Sequence, residues 1–338
     1  MAKRIIVDAF GGDNAPDEIL KGCRMAADEL GVEIILTGRE DEIRKAAARL
    51  EVNISDFEIV DCPDIVTMDD EATDVARRLK NSPMAVGMRL LREGKGDAFA
   101  SAGNSGAMVA GATLLVKRIK GVKRVGFAPM LPNMNGFFML CDSGANVECT
   151  PAMLEQFGLM GSVYMKKVMD IENPRVCLLN NGTEEHKGTE VHREAYELLK
   201  ARKDINFVGN MEGRDIPVDG AEVVVCDGFS GNIFLKTYEG VAMALMDKIK
   251  GVMTMNLKNK LAAAVVYKDM KALKKSMDYN EYGGAPILGC AKPVFKVHGS
   301  AKAKTLKSAI ALCAKYAETN IIEEIAAAVA VQNQEEQE

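Results

Sequence analysis

Asp97-Ala-Phe-Ala-Ser-Ala-Gly-Asn-Ser-Gly-Ala107 is the stretch on which the fold turns. Asp97 to Ala100 reads as a short strand, and Met108 to Val116 reads as a buried helix. Between them lies a glycine- and hydroxyl-rich turn, Ser101 to Ala107. A strand that runs through such a turn into a helix is built to hold an anion, because the first helical N–H groups lack partners and carry partial positive charge. Gly103 and Gly106 let the chain turn sharply and let a ligand approach the backbone. Asn104 and Ser105 can cap the helix or donate to a phosphate oxygen. A polar cap with no ligand satisfies the same residues, so this loop alone leaves both readings open.

The pattern recurs. Arg4 to Ala9 reads as a strand ending in Asp8-Ala-Phe-Gly-Gly-Asp13, which sets Gly11, Gly12 and Asp13 in a turn before a helix opening near Pro16. Val32 to Thr37 and Phe57 to Val60 are further strands, with a charged helix from Asp41 to Leu50 between them. The polar segment Asp61 to Asp74 is expected over the surface near a site. Ser82 and Pro83 then open a helix to about Glu93. Phe137 to Cys141 is apolar without alternation, as in a strand buried on both faces, and ends in Asp142-Ser-Gly-Ala-Asn146. After a helix from Pro151 to Val168, the run Val176 to Leu179 ends in Asn180-Asn-Gly-Thr-Glu-Glu-His-Lys-Gly188. A helix from Glu190 to Arg202 and a strand from Ile205 to Val208 follow. Glu222 to Cys226 ends in Asp227-Gly-Phe-Ser-Gly-Asn232 and opens another helix.

This alternation predicts an α/β fold of three layers, α/β/α, around a mostly parallel sheet. Asp8, Asn104, Asp142, Asn180 and Asp227 all stand at or near the ends of apolar runs. One parallel sheet sets all these loops on one rim, outside the carboxyl ends of the strands, where ligands bind in open α/β sheets.

Hydrophobic content of 48% and charged content of 27% are those of a globular chain. A net charge of −5 argues against nucleic acid as a partner. No apolar run reaches the ~18 residues that span a bilayer, and Ile5 to Val7 is too short for a signal-peptide core. The expected location is the cytoplasm. The eight cysteines form no Cys-x-x-Cys pair and read as small core residues.

Met246 to Met277 differs in character: eight lysines stand against two aspartates, a local charge of +6. Met253, Leu257, Leu261 and Val265 follow helical spacing, and Val266, Met270, Leu273 and Met277 form a second stripe. The stretch reads as a basic amphipathic helical pair, an arm at 246–277 for an acidic protein or an anionic membrane. A dimerisation arm with solvated lysines fits the same pattern. Tyr282-Gly-Gly-Ala-Pro-Ile-Leu-Gly289 and Val297-His-Gly-Ser300 read as two more glycine loops, and Lys302 to Val331 as a final helix. A single domain is expected over 1–331, with 332–338 as a polar, acidic tail.

Several chemistries lack their signatures. There is no G-x-x-x-x-G-K-[ST] loop, no G-x-S-x-G elbow and no H-E-x-x-H helix. His186, His192 and His298 are the only histidines, and no metal site is expected from them. The rim loops do offer groups for an anion: Ser101, Asn104, Ser105, Thr183, Ser230, Asn232 and the cation Lys187. Lys187 also reads as a solvated loop charge. Asn232 can donate an amide hydrogen to an oxyanion. No covalent nucleophile stands out, which fits a reaction in which bound phosphate attacks.

Taken together, the loops resemble the bacterial phosphate acyltransferase family, the acyl-[acyl-carrier-protein]–phosphate acyltransferases of phospholipid synthesis. The motifs that carry it are Asp8–Asp13, Ser101–Ala107, Asp142–Asn146, Gly182-Thr-Glu-Glu-His-Lys-Gly188, Asp227–Asn232, Tyr282-Gly-Gly-Ala285 and His298-Gly-Ser300. Phe10 stands where Met is usual, Ser105 where Thr is usual, and Ser143 where an aliphatic residue is usual. The resemblance implies a fold related to isocitrate and isopropylmalate dehydrogenases, and a homodimer. It implies transfer of a long-chain acyl group from acyl carrier protein to inorganic phosphate, with no cofactor and no metal. The acyl phosphate would feed the glycerol-3-phosphate acyltransferase step. Its catalytic lysine and asparagine fall on Lys187 and Asn232. Phosphate or substrate contacts fall in the loops carrying Asp8, Gly11, Gly12, Asp13, Ser101, Gly103, Asn104, Ser105, Gly106, Asp142, Asn146, Asp227 and Ser230. It also suggests that the arm meets carrier protein or a membrane surface, through Leu257, Lys258, Lys260, Leu261, Val265 and Lys268, which makes the protein peripherally membrane-associated.

Overall fold

The structure is a computed structural model, and it describes residues 2–277 and 283–335. Strands β1 (Arg4–Asp8), β2 (Glu33–Gly38), β3 (Glu58–Asp61) and β4 (Ala98–Ser101) alternate with helices α1 (Asp17–Leu30), α2 (Glu40–Leu50), α3 (Asp74–Arg77) and α4 (Pro83–Arg92). Helix α5 (Ser105–Gly111) widens into a π-turn over Ala112–Val116. Then come β5 (Gly126–Phe127), β6 (Met130–Asn133), β7 (Gly136–Cys141), α6 (Pro151–Lys167), β8 (Arg175–Asn180), α7 (Glu190–Ala201), β9 (Asn206–Glu212), α8 (Ile216–Asp219) and β10 (Val223–Val225). The long helix α9 (Gly228–Thr254) leads to α10 (Leu257–Val265) and α11 (Tyr267–Ser276). Strands β11 (Gly284–Leu288) and β12 (Val294–Val297) and helices α12 (Ala303–Glu318) and α13 (Ile321–Glu335) complete the chain.

The described strands form two sheets rather than the one expected. The larger runs β3-β2-β1-β4-β12-β11-β5, and the smaller runs β6-β7-β10-β8-β9. Pairing is parallel except at β11 with β12 and β5, and at β6 with β7. Each sheet is a middle layer. Ile5 and Val7 of β1 pack with Ile19 and Leu20 of α1 and Leu306 of α12, while Ile6 faces Met84 and Met88 of α4. Val223 and Val225 face α6, while Val224 meets Ile216 of α8 and Leu235 of α9. One core cluster contains residues of both sheets. The expected rim is therefore two rims: Asp8 and Asn104 belong to the larger sheet, and Asp142, Asn180 and Asp227 to the smaller.

Local chemistry sets the boundaries. Ser82 Oγ accepts from Ala85 N ahead of Pro83, and Thr150 Oγ1 from Met153 N ahead of Pro151, so each helix starts with a hydroxyl cap and a proline that needs no N–H partner. Helix α6 is buried from Met153 to Met165, as an element sandwiched on several sides must be.

Four expectations are corrected. The glycine loop at 282–289 holds strand β11, and an unexpected strand, β12, ends where the loop 297–300 begins and sits between β4 and β11 in the larger sheet; Tyr282 lies outside the described residues. The stripe Met253 to Val265 is broken at Asn256, whose side chain caps α10 by accepting from Asn259 N. The final helix is two, parted at Thr319, which is extended. Of the expected tail, 332–335 continue α13, and 336–338 lie outside the described residues.

Candidate active site

At the larger rim the loops after β1, β4 and β12 interlock. The Asp8 carboxylate is buried and accepts from Ser101 Oγ at 2.7 Å and Phe10 N at 3.0 Å. Ser101 Oγ in turn accepts from Gly103 N at 3.0 Å. Asp13 N donates to Gly299 O at 2.8 Å. Gly12 has φ of +95°, and a Cβ there would lie 2.8 Å from Gly299 O, so only glycine lets the first and third loops close. Asp8 and Ser101, expected as phosphate ligands, spend their polar atoms on each other and tie the loops together. Asn104 caps α5 through Ala107 N and donates to the carbonyls of Thr67 and Met68, which draws in the segment 61–74.

Above this rim lies a cavity of about 500 Å³. Gly12, Asp13, Gly103, Asn104, Ser105, Lys296, His298 and Gly299 line it with side-chain and backbone polar groups. Phe127, Pro129, Met130 and Leu131 come from β5, β6 and the link between them, and Leu235, Lys236 and Glu239 from α9. Val66 and Met68 complete an apolar wall, so the segment 61–74 does reach the site. Burial is the main force holding the Lys296 ammonium down, to about 8, and it also lowers His298. Ser300 N donates to His298 Nδ1 at 3.2 Å, which makes Nδ1 an acceptor and puts the proton of the neutral ring on Nε2.

At the smaller rim Asp142 is fully buried. Its carboxylate accepts from Phe127 N, Ala145 N, Asn146 N and Asn146 Nδ2, at 2.9, 3.1, 2.7 and 2.9 Å. Asn146 Nδ2 also reaches Val125 O at 2.8 Å. Both residues thus act as loop framework. Asp227 caps α9 by accepting from Ser230 N at 2.9 Å. Gly228 N donates to Asn146 O at 2.8 Å, and a Cβ on Gly231 would fall 1.9 Å from Asp142 O, so the two loops meet backbone to backbone. Gly231→Ala is expected to lower stability by roughly 1–3 kcal/mol, read as a fall in the urea midpoint; an unchanged midpoint would show that the loops can part.

Asn232 is exposed one turn before Lys236 on α9, so both project from one helix face. Lys187 is half-buried in the loop after β8, held through its carbonyl by Asn180 Nδ2 at 3.2 Å. Neither Lys187 nor Asn232, nor Asp142, Asn146, Asp227 or Ser230, belongs to the cavity wall. Sequence reading missed Lys296, Lys236 and the β5–β6 wall. Lys296 stands in the short run Val294-Phe-Lys-Val297, and a strand of four residues with a central lysine gives little periodic signal.

Leu257, Leu261 and Val265 are 73, 63 and 84% exposed on α10, which buries no residue. Lys258 and Lys260 are exposed beside them, and Lys268 on α11. No helix among the described residues is long and apolar enough to cross a membrane.

The family described as "Fatty acid synthesis protein" matches residues 3–324. A phosphate acyltransferase of Acetivibrio thermocellus is 47% identical over 322 residues, 95% of each chain. The chain belongs to the phosphate acyltransferase family. A phosphate acyltransferase of Thermoanaerobacterium thermosaccharolyticum is 44% identical over 95% of each chain. The fold of this phosphate acyltransferase family member is shared more widely. A phosphotransacetylase from Streptococcus pyogenes superposes with a TM-score of 0.66 at 18% identity, covering 93% of this chain and 94% of the other. A 4-hydroxythreonine-4-phosphate dehydrogenase from Klebsiella pneumoniae gives 0.52 at 15% identity, covering 94% and 99%.

Proposed function

We propose that this chain moves a long-chain fatty acyl group from acyl carrier protein to inorganic phosphate, yielding acyl phosphate for phospholipid synthesis. The observation that carries this reading is the cavity itself, in a chain of this family: it is lined both by charged groups, Lys296 and the Lys236–Glu239 pair among them, and by apolar residues from Phe127 to Leu131 and Leu235. Phosphate in this cavity presents an oxygen to the thioester carbonyl. A C–O bond forms, the tetrahedral oxyanion takes a hydrogen bond from Asn232, the C–S bond breaks, and the carrier-protein thiolate leaves and is protonated by solvent. Lys187 neutralises phosphate charge from the neighbouring loop. Orientation of two bound reactants supplies much of the acceleration. Asn104, Ser105 and the glycine turns keep the cavity floor open, while Asp8, Ser101, Asp142 and Asn146 hold its loops in place.

The protein works as a homodimer in which 1–331 is one catalytic domain, kin to the isocitrate and isopropylmalate dehydrogenases. The segment 246–277 is a projecting arm that meets carrier protein and an anionic membrane surface from the cytoplasmic side. That placement favours hand-off of acyl phosphate to a glycerol-3-phosphate acyltransferase. The exposed Leu257, Leu261 and Val265 beside Lys258 and Lys260 support this role. Raising salt is expected to increase KM for acyl carrier protein by roughly tenfold, because docking of an acidic protein on lysines is screened; a salt-independent KM would remove the arm from docking.

The deciding experiment follows release of carrier-protein thiol and labelled acyl phosphate together, from palmitoyl-acyl carrier protein with and without phosphate. Both must appear, and only with phosphate. Turnover of coenzyme A thioesters alone would move the activity to short-chain phosphate transfer.

A further inference from the structure

We propose that Lys296, with Lys236 lining the same cavity, forms a subsite for a phosphate oxyanion between the two sheets. The inference rests on the acyl-transfer reading above and adds a residue to it. Lys296 lies in the interior of the larger sheet and is 8% exposed. Its Nζ donates to Ala102 O at 3.3 Å and to Val297 O. Among the described residues no carboxylate comes within ion-pair distance of it. A buried ammonium held by carbonyls alone is unfavourable unless an anion completes it. Asp13 and Asp8 act on it only from beyond ion-pair distance, and the Asp8 carboxylate already accepts from Ser101 Oγ and Phe10 N. Lys236 lines the same cavity and bonds Glu239 at 2.9 Å on its own helix.

A phosphate oxyanion can come here from two sources: inorganic phosphate, or the phosphodiester of the carrier protein's prosthetic arm. The pH response follows from the surroundings. Burial and Lys236 lower Lys296 to about 8, against Asp13 and Asp8, which raise it; Glu239 and His298 also face the cavity. The ammonium is present below that value and is lost above it, so affinity for the oxyanion should fall as pH rises through about 8.

The test uses the full-length protein and intact acyl carrier protein. Lys296→Met is expected to raise KM for phosphate by roughly tenfold and to abolish the alkaline fall in affinity, with KM for the acyl donor unchanged. A rise confined to the acyl donor would assign the subsite to the phosphodiester. Unchanged KM for both, with wild-type turnover intact, would overturn the inference while leaving the acyl-transfer reading in place; absence of wild-type turnover would strike that reading first. Thermal shifts with phosphate alone guard against misfolding. Phosphate should raise the Tm of the wild type and should raise that of Lys236→Met less, and equal shifts in both would also overturn the subsite.

Discussion

Asn232→Ala is expected to lower kcat by roughly 100- to 1,000-fold with little change in KM for phosphate. The asparagine stands in the first turns of α9, fixed by the Asp227 cap and by the loop of Gly144, whose Cβ position would be 3.8 Å from Asn232 Cβ. A donor that meets the oxyanion only in the tetrahedral state acts on kcat rather than on binding. Lys187→Ala makes the complementary change, raising the phosphate requirement or abolishing turnover. Lys187 is outside the cavity wall, so this variant asks whether the loop 180–188 moves onto bound phosphate. Unchanged kinetics would remove the lysine from the mechanism and leave Lys296 and Lys236 as the cations of the site. Single-turnover rates at saturating phosphate separate the two roles: Asn232→Ala should slow the chemical step, and Lys187→Ala should recover its rate if the lysine only binds phosphate and stay slow if it also acts in the chemistry.

Much of this arrangement was legible in the chain, and the failures share a cause. The strands β1, β2, β7, β8 and β10 announce themselves as apolar runs followed by Asp or Asn and glycine, because a parallel strand buried on both faces leaves only its end for polar residues. Which strands pair is a long-range property, so those runs could not say that they belong to two sheets. β12 was hidden because Lys296 interrupts it, and β11 because Pro286 lies within it. The same lysine that obscured the strand is the buried cation of the cavity. Asp8 and Ser101 were rightly placed at one rim, but sequence does not reveal that a carboxylate and a hydroxyl will satisfy each other. That pairing turns expected ligands into framework. The break at Asn256 shows the converse: a short polar residue inside an apolar stripe marked a cap, and the stripe's spacing outweighed it.

Asp142→Ala is expected to lower the unfolding free energy by on the order of 4 kcal/mol, a large share of the 5–15 kcal/mol typical of folded proteins. The carboxylate is fully buried and takes hydrogen bonds from three backbone amides and one side-chain amide. Alanine leaves the amides of Phe127, Ala145 and Asn146 without their acceptor, and each buried orphan costs about 1–3 kcal/mol less whatever water can enter. Phe127 is also a wall of the cavity, so loss of this anchor loosens the apolar side of the site as well as the loop that abuts Gly231. Asp142→Asn keeps the shape but replaces one acceptor oxygen by an NH₂ group, and it should fall between wild type and alanine. Urea unfolding of the three proteins measures the order. If alanine changed stability by less than about 1 kcal/mol yet abolished turnover, Asp142 would be acting on the substrate and its four hydrogen bonds would be incidental. A loss of stability shared by both variants, with activity in the folded fraction largely kept for Asp142→Asn, would place the residue in the scaffold that holds two rims against one cavity.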